Sequence, residues 1–369
     1  MTDLMVEQPL VEHDGVFGRR TGHEQVVFCQ DDHSGLRAII AVYSTALGPA
    51  LGGTRFMCYP DEGAALTDVL RLSKAMAYKS ALAGLDLGGG KAVIIGDPDR
   101  DKTETLLRAY GRFVESLGGR YITACDVGTT EHDMDMVARE SSHVTGRSTM
   151  AGGAGDSSVL TAFGVARAMM AAAEHVWGVA DLTGRRVGVE GVGKVGARLV
   201  GHLLDMGASV VVADPDAVAL NRLRRAHPEI EVADDEHALR AEEIDVYAPC
   251  ALGGSLNETT LSRLQAVVVC GAANNQLAGG GVEKLLADQG VLYIPDYVAN
   301  AGGLIQVADE IDGYHAERAR ARAAGIYDTT KAVLDDAAFE GWTPAEAADR
   351  LAERRMSELA SIRSIHLNS

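Results

Sequence analysis

The chain has 369 residues, a length typical of two domains, and 47% of its residues are hydrophobic, which is enough for two buried cores. Its 52 acidic side chains outnumber the 34 basic ones, so the formal net charge is −18. Because nucleic acids and anionic membranes are bound by basic surfaces, this charge argues against both as partners. This excess of acidic over basic side chains fits a soluble cytoplasmic enzyme, and it fits any solvated protein surface equally well.

Signals for targeting, disulfides and metals are absent from the sequence. Residues 1–15 are acidic and have no apolar core, so we expect no signal peptide. No apolar run approaches the ~20 residues that a transmembrane helix needs. Clusters such as Glu131-His132-Asp133 lack the spacing of metal sites, so we expect no metal. The cysteines are too widely spaced for a disulfide framework: Cys29, Cys58, Cys125, Cys250 and Cys270.

Apolar periodicity and turn residues predict the elements of the first half. Residues 1–22 are expected to form a loose arm, and residues 46–55 a loop that is either a plain turn or an anion-binding site. Asp126 directly follows the last strand of this half, a position typical of a turn cap or a catalytic carboxylate. The predicted strands are 25–29, 36–43, 92–95 and 121–124, and the predicted helices are 64–79 and 103–117.

Three consecutive glycines, residues 88–90, are expected to form a loop that ends at Lys91. A chain tolerates such flexible backbone where something must approach it closely. Lys91 is then either a solvated loop residue or a buried amine, whose neutral, reactive form would be favoured by burial and by a second cation, Lys79. The segment does not match a phosphate-binding P-loop, because Leu85 and Ala92 stand where that motif requires Gly and Ser or Thr.

A hinge or linker is predicted at residues 146–157, which are rich in glycine and small polar residues. We therefore place one domain at residues 1–145 and a second at residues 146–335. Amphipathic helices in the C-terminal segment, residues 336–369, are expected to pack back onto the first domain.

A dinucleotide-binding signature opens the second domain. A predicted strand, 186–190, is followed by a glycine-rich turn and a predicted helix, 197–206, and Asp214 ends the next strand. Such a turn lets a pyrophosphate approach the helix N-terminus, while an acid at this position bonds ribose hydroxyls and repels a 2′-phosphate. NAD is thus favoured over NADP. The turn matches G-x-G-x-x-G and consists of Gly191, Val192, Gly193, Lys194, Val195 and Gly196.

Alternating strands and helices continue a doubly wound parallel sheet, so the second domain is expected to be of Rossmann type. Loops after its strands are expected to bind the cofactor through Cys250 and Ala251. Asn274 or Asn275 could hold a nicotinamide amide or a substrate group, or be a plain turn residue. The further predicted strands are 244–248, 266–270 and 291–294, and the predicted helices are 157–177, 299–311, 315–338 and 344–360.

Several separated segments together resemble the glutamate/leucine/phenylalanine/valine dehydrogenase family over residues 23–355. They lie far apart and in the family's order, which makes the resemblance specific. The segments are GPALGGTR at 48–55, Lys79 with GGGK at 88–91, DVGT at 126–129, the glycine turn at 191–196, CGAANNQL at 270–277 and NAGG at 300–303.

The resemblance implies two α/β domains with a cleft between them and NAD-dependent oxidative deamination of an L-amino acid. Substrate, NAD and water would give a 2-oxo acid, ammonia and NADH. The same resemblance implies that Lys91 is the general base that activates water and that Asp126 carries protons to and from the amine.

Binding roles are implied in the same way. Lys79 would bind the substrate carboxylate with help from the backbone at Gly52 and Gly53. Thr161 and Asn275 would hold the nicotinamide. A homo-oligomer built through the first domain, a dimer or an octamer, is also implied.

The end of the substrate pocket is expected to be apolar, because none of its implied residues carries a positive charge that could meet a glutamate carboxylate. The resemblance favours L-valine within the branched-chain amino acids, with leucine or phenylalanine as alternatives. A non-catalytic sensor of NAD or amino acids, and a lyase that forms a Schiff base on Lys91, are rival functions. The implied pocket residues are Leu51, Ala124, Thr145, Leu304 and Val307.

Overall fold

The structure is a computed structural model that describes residues 22–362. Apart from Gly22, the predicted N-terminal arm lies outside the described residues, as does the end of the predicted C-terminal segment. The described chain contains two β-sheets, one built from the first third of the sequence and one from the middle.

The first sheet has five strands in the order β1-β2-β4-β3-β5. Its β3, β4 and β5 run parallel, and β1 and β2 are joined as an antiparallel hairpin at its edge. The predicted strands and helices of this half are all present, and β3 and α3 occur in addition to them. The bounds are β1 Gln25–Asp31, β2 Leu36–Ser44, β3 Ala50–Met57, α1 Glu62–Leu82, β4 Gly88–Ile95, α2 Glu104–Glu115, β5 Tyr121–Cys125 and α3 Glu131–Val137.

Two glycine-rich segments that we predicted as loops are in fact buried strands. Gly52 and Gly53 lie in the interior strand β3, and the three glycines before Lys91 open β4. Their missing side chains allow close packing: a Cβ on Gly52 would lie 1.7 Å from the Gly90 carbonyl oxygen, and one on Gly89 would lie 2.1 Å from the Ala77 nitrogen in α1. Glycine is therefore required at these positions because neighbouring backbone atoms approach closely, whereas the sequence pattern indicated a turn.

The second sheet has six parallel strands in the order β11-β10-β9-β6-β7-β8. The order reverses between β6 and β9, which is the switch point where doubly wound sheets bind ligands. A loop with a short 3-10 turn, Thr149–Ala151, connects the two domains. The elements are α4 Ser158–Trp177, β6 Arg186–Glu190, α5 Lys194–Asp205, β7 Ser209–Ala213, α6 Ala217–Ala226, β8 Glu231–Val232, α7 Glu236–Ala241, β9 Val246–Pro249, α8 Glu258–Leu261, β10 Val268–Val269, α9 Val282–Asp288 and β11 Leu292–Tyr293.

The C-terminal helices are more divided than the sequence indicated. Each of the two predicted helices 299–311 and 315–338 spans a break, at residues 300–301 and at Gly325 respectively. The first break places Gly302 against α4, where a Cβ would lie 1.9 Å from the Leu160 carbonyl oxygen. The helices are α10 Asp296–Ala299, α11 Gly302–Asp309, α12 Ala316–Ala324, α13 Ile326–Glu340 and α14 Pro344–Ile362.

Helix α14 returns to the first domain and packs against α1. Its Arg355 donates hydrogen bonds to the carbonyl oxygens of Ala81 and Leu85 at 2.8 and 2.9 Å, so it caps the C-terminal end of α1. In the same interface Tyr78 donates to Glu353 at 2.9 Å. The helix that carries Lys79 is thus held from the C-terminal part of the chain.

The crowding at Gly89 predicts opposite effects of two glycine substitutions. Gly89→Ala should lower the thermal unfolding midpoint, because overpacking β4 against α1 costs about 1–3 kcal/mol. Gly201→Ala in α5 should raise it slightly, since a Cβ there meets only His227 atoms at 3.9 Å or more and alanine is favoured in helices by about 0.5–1 kcal/mol. Unfolding followed by circular dichroism measures both. A Gly89→Ala variant as stable as the parent protein would contradict the packing described here.

Candidate active site

A cavity of about 350 Å³ lies between the two domains. Residues of α1, β3, β4 and β5 line it on one side, and residues of α4, α5, α10 and α11 line it on the other. The predicted site residues that line it are Leu51, Gly52, Gly53, Lys79, Lys91, Ala124, Asp126, Thr161, Val195, Asn275, Leu304 and Val307. The structure therefore brings together residues that are up to 256 positions apart in sequence, from Leu51 to Val307.

A lysine and a carboxylate form a close ion pair in this cavity. The Lys91 Nζ lies 2.5 Å from Asp126 Oδ2, and the Lys91 side chain is only 8% exposed. The strand register explains the contact, because Thr54 in β3 pairs with both Ala92 and Cys125. Lys91 and Asp126 are the neighbours of those two residues, so they meet across β3.

The glycine in β3 makes room for this pair. A Cβ on Gly53 would lie 2.7 Å from the Cys125 carbonyl oxygen and 2.9 Å from the Asp126 Cβ. Any larger residue would push the Asp126 loop away from β3. The loop itself is fixed by Thr129, whose hydroxyl accepts a hydrogen bond from the Asp126 backbone N–H at 2.9 Å.

The charge of Asp126 is stabilised by two cations. Burial by itself raises the pKa of this carboxyl, but the Lys91 ammonium and the Arg55 guanidinium outweigh burial and lower the pKa to about 2. Arg55 also lines the cavity, and its Nε lies 3.5 Å from Asp126 Oδ2. Asp126 is thus an anion in the free protein at neutral pH.

Lys79 extends from the last turn of α1 into the same cavity. Its Nζ donates to Asn274 Oδ1 at 3.4 Å, and Asn274 in turn accepts from Asn300 at 2.9 Å. Burial lowers the pKa of Lys79 to about 8, with the positive charge of Lys91 acting in the same direction and the carboxylate of Asp296 acting against it. This half-buried amine changes its charge close to physiological pH.

Apolar side chains form part of the cavity lining. Leu51 and Ala124 from the first domain and Leu304 and Val307 from α11, which the family resemblance placed in the substrate pocket, line this cavity together with Leu72 and Met76 of α1. Thr145, which the sequence placed with this group, does not line it. Thr145 is buried, and its hydroxyl donates to the Thr123 carbonyl oxygen at 3.3 Å.

The glycine turn has the shape that a dinucleotide pyrophosphate requires. Gly191 has a φ of 94°, a conformation that favours glycine, and a Cβ on Gly196 would lie 1.9 Å from the Gly191 carbonyl oxygen. Around Gly193, in contrast, a Cβ would meet nothing within 4 Å, so the backbone is open to an approaching ligand. Lys194 is exposed at the first position of α5, whose N-terminus attracts anions.

The remaining predicted cofactor residues surround this turn. Asp214 accepts backbone hydrogen bonds from Val192 and Asp216, each at 2.7 Å, which fixes its carboxylate beside the turn. Ala251 packs against Gly191, since a Cβ on that glycine would lie 2.8 Å from it, and Cys250 donates its N–H to the Glu190 carbonyl oxygen at 2.7 Å. These residues lie at the switch point of the sheet, where doubly wound folds bind their ligands.

Several polar residues of the cavity were not among the predicted site residues, and Asn274 was predicted only as an alternative to Asn275. Asn274 rather than Asn275 contacts Lys79, while Asn275 adopts a left-handed φ of 53° and donates its N–H to Asp296. Arg55 and Asn300 lie in the quoted family segments, and Asp296 follows β11. A position at a strand end or within a quoted motif could therefore have identified these cavity residues from the sequence: Arg55, Asn274, Asp296 and Asn300.

Residues 22–362 contain neither a metal-binding cluster nor a membrane-spanning helix. No group of three or more His, Cys, Asp or Glu side chains there could hold a metal ion. No helix within that range is long and apolar enough to span a bilayer.

The architecture and the cavity define a two-domain α/β enzyme with a dinucleotide-binding domain. The family model for the Glu/Leu/Phe/Val dehydrogenase dimerisation domain matches residues 23–143, and the model for glutamate/leucine/phenylalanine/valine dehydrogenase matches residues 152–317. The chain belongs to this family of amino-acid dehydrogenases.

Relatives and a solved structure agree with the family assignment. Valine dehydrogenase of Streptomyces virginiae is 62% identical over 338 residues, which cover 91% of this chain and 94% of that protein. Leucine dehydrogenase of Bacillus cereus is 48% identical over 347 residues, which cover 94% of each chain. The crystal structure of L-tryptophan dehydrogenase from Nostoc punctiforme superposes with a TM-score of 0.81 at 42% identity, covering 92% of this chain and 98% of the other.

The environment of Lys79 predicts its reactivity. Its labelling by an amine-reactive reagent should rise with a midpoint near pH 8, because only the neutral amine reacts. Asp296→Asn should lower that midpoint by removing a negative charge. Lys331 is the matched control, since its hydrogen bond to Glu174 raises its pKa above the usual lysine value. Mass spectrometry resolves the two sites. Identical midpoints for Lys79 and Lys331 would show that the cavity does not perturb Lys79.

Proposed function

We propose that this chain catalyses the NAD-dependent oxidative deamination of a branched-chain L-amino acid, with L-valine preferred. The observation that carries the proposal is the Lys91–Asp126 pair, which lies with a second lysine and an apolar end in one interdomain cavity. The resemblance to valine dehydrogenases over nearly the whole chain supports the choice of substrate.

The substrate carboxylate binds to Lys79. Below pH 8 this lysine is an ammonium, and the backbone of Gly52 and Gly53 lies in the same cavity. Asn274, which already contacts the Lys79 Nζ, limits where that amine can move. When Lys79 holds the substrate carboxylate, the α-carbon of the amino acid faces Lys91 and Asp126.

Lys91 and Asp126 carry the proton transfers. Asp126 accepts a proton from the substrate ammonium, so that the free amine can form. When bound, NAD supplies the acceptor for the hydride that leaves the α-carbon. Lys91, which has released its own proton to solvent before this step, takes a proton from water as that water attacks the imino carbon. Asp126 returns its proton to the nitrogen, and the hydroxyl proton passes to the ammonia as the C–N bond breaks and the 2-oxo acid forms. The 2.5 Å contact lets the pair share protons between steps.

NAD is bound at the glycine turn, and Thr161 and Asn275 hold its nicotinamide end. The open backbone at Gly193 and the N-terminus of α5 support pyrophosphate binding. Asp214 supports NAD over NADP, because its carboxylate lies beside the turn and would repel a 2′-phosphate.

Side-chain selection follows from the apolar end of the cavity. A glutamate side chain would bury its carboxylate among Leu51, Leu304 and Val307 without a partner, at a cost of several kcal/mol. The one guanidinium that lines the cavity, Arg55, is already paired with Asp68 and Asp126. Valine and leucine differ by one methylene, worth about 1–3 kcal/mol, and the bulk of Leu304 is compatible with the smaller substrate.

The organisation of the protein forms part of the proposal. The domains meet at residues 146–157, and α14 belongs with the first domain, as its contacts with α1 indicate. A homo-oligomer is formed through the first domain, which matches a model described as a dimerisation domain. All five cysteines are free, which fits a reducing cytoplasm.

The substrate panel that tests this proposal measures reduced cofactor formed from L-valine, L-leucine, L-phenylalanine and L-glutamate, each with NAD and with NADP. The highest kcat/KM is expected for L-valine with NAD, with leucine lower by about one order of magnitude. Glutamate should be at least about a hundredfold poorer than valine, because its buried carboxylate has no partner. Glutamate as the best substrate, or NADP as the better cofactor, would contradict the assignment.

A further inference from the structure

The cavity contains a third cation that the proposed proton transfers do not use. Arg55 projects from β3, and its side chain is 19% exposed. Its NH1 lies 2.8 Å from Asp68 Oδ2 in α1, and its Nε lies 3.5 Å from Asp126 Oδ2. One guanidinium therefore joins a carboxylate outside the proposed chemistry to the carboxylate inside it.

Asp68 fixes the orientation of this guanidinium. The same Asp68 oxygen accepts a hydrogen bond from the Tyr59 hydroxyl at 2.8 Å, and Arg71 lies 3.6 Å from the other oxygen. The Asp68 carboxylate is thus held from three sides. A planar guanidinium anchored at one end has few remaining orientations, and its Nε edge faces Asp126.

The Nε of Arg55 has a free N–H that faces Asp126. Arg55 Nε is buried and completes no hydrogen bond within the described chain, while Asp126 Oδ2 contacts Lys91 Nζ at 2.5 Å and can accept from a second donor. A buried donor without an acceptor is costly, so a small movement of the Asp126 loop that closes the 3.5 Å separation would be favourable.

We propose that Arg55 is a positioning residue for Asp126, which it keeps ionised and oriented while Lys91 exchanges its proton. The inference rests on the proposed function, because it gives Arg55 a part in the same reaction. Arg55 acts through Asp126 and does not itself contact the substrate.

The groups around Asp126 show why a permanent charge matters. Lys91 must be neutral when it acts as a base, and Lys79 titrates with a pKa of about 8. Burial raises the pKa of Tyr121 to about 12 and that of Cys125 to about 11, so both are neutral at pH 7. Arg55 remains the one group near Asp126 whose positive charge persists through the whole reaction.

The test compares Arg55→Met and Arg55→Lys with the control Arg71→Met. Arg71 contacts the same carboxylate of Asp68, but its side chain is 63% exposed and it does not line the cavity. For Arg55→Met, kcat should fall at least about tenfold and the acid limb of the pH profile should move up by about one pH unit, because without the cation the Lys91–Asp126 pair holds its proton to higher pH. The KM for the amino acid should change less than about twofold, since Lys79 binds the carboxylate.

A variant that keeps the positive charge of residue 55 distinguishes the proposed electrostatic role from a purely structural one. Arg55→Lys should recover at least half of the shift in the acid limb, while Arg71→Met should leave both kcat and the profile unchanged. An unshifted acid limb in Arg55→Met, or an equal shift in Arg71→Met, would overturn the proposal. Arg55→Lys also serves as the test if Arg55→Met does not fold. A loss of kcat in both Arg55 variants, with no shift in the acid limb of the pH profile, would count against the proposal.

A second readout does not depend on turnover. Carbodiimide labels protonated carboxyls, so at pH 5 the labelling rate of Asp126, measured by mass spectrometry, should rise about tenfold in Arg55→Met, in line with a pKa change of one unit. It should not change in Arg71→Met. Faster labelling in a protein that oxidises no amino acid would refute the proposed function while supporting the link between Arg55 and Asp126. Unchanged labelling would refute the link itself.

Discussion

The contact between the Lys91 ammonium and the Asp126 carboxylate constrains the rest of this structure. The two groups are 2.5 Å apart in a cavity that excludes most water from Lys91, so each stabilises the charge of the other. The pair is possible because β3 has a glycine where a side chain would push the Asp126 loop away. The strand register and the glycine of β3 therefore act together to place the two groups that the proposed chemistry uses.

The second domain completes the site through the interdomain loop and α11. Glu310 follows the last residue of α11 and accepts hydrogen bonds at 2.8 Å from the backbone N–H groups of Gly146 and Ala154 in that loop. The same helix supplies Leu304 and Val307 to the cavity. Movement of the loop would therefore be transmitted to the apolar end of the pocket.

Much of the fold followed from patterns in the sequence. The alternation of strands and helices predicted the parallel sheet, and the glycine pattern predicted the turn at 191–196, because these signals are local. The glycines of β3 and β4 were predicted as loops, since crowding from another element is invisible in a linear pattern. The same limit applies to Arg55: only the folded chain shows that its guanidinium faces Asp126.

Individual site residues were predictable to differing degrees. Lys91 was singled out from its place between glycines and an apolar run, but its carboxylate partner came only from the family resemblance. Thr145 was grouped with the pocket and instead turns its hydroxyl to the Thr123 carbonyl. Asn274 and Asn275 are adjacent in sequence, and local pattern alone does not decide which of them contacts Lys79.

Steady-state turnover of Lys91→Ala, with NADH affinity measured in parallel, tests the central claim most directly. Lys102→Ala is the matched control, because Lys102 forms a similar ion pair with Asp133, 2.8 Å long, but does not line the cavity. We predict that Lys91→Ala loses at least about a hundredfold in kcat and binds NADH within about twofold of the parent protein, while Lys102→Ala keeps its turnover. Unchanged turnover in Lys91→Ala, or an equal loss in Lys102→Ala, would contradict the account.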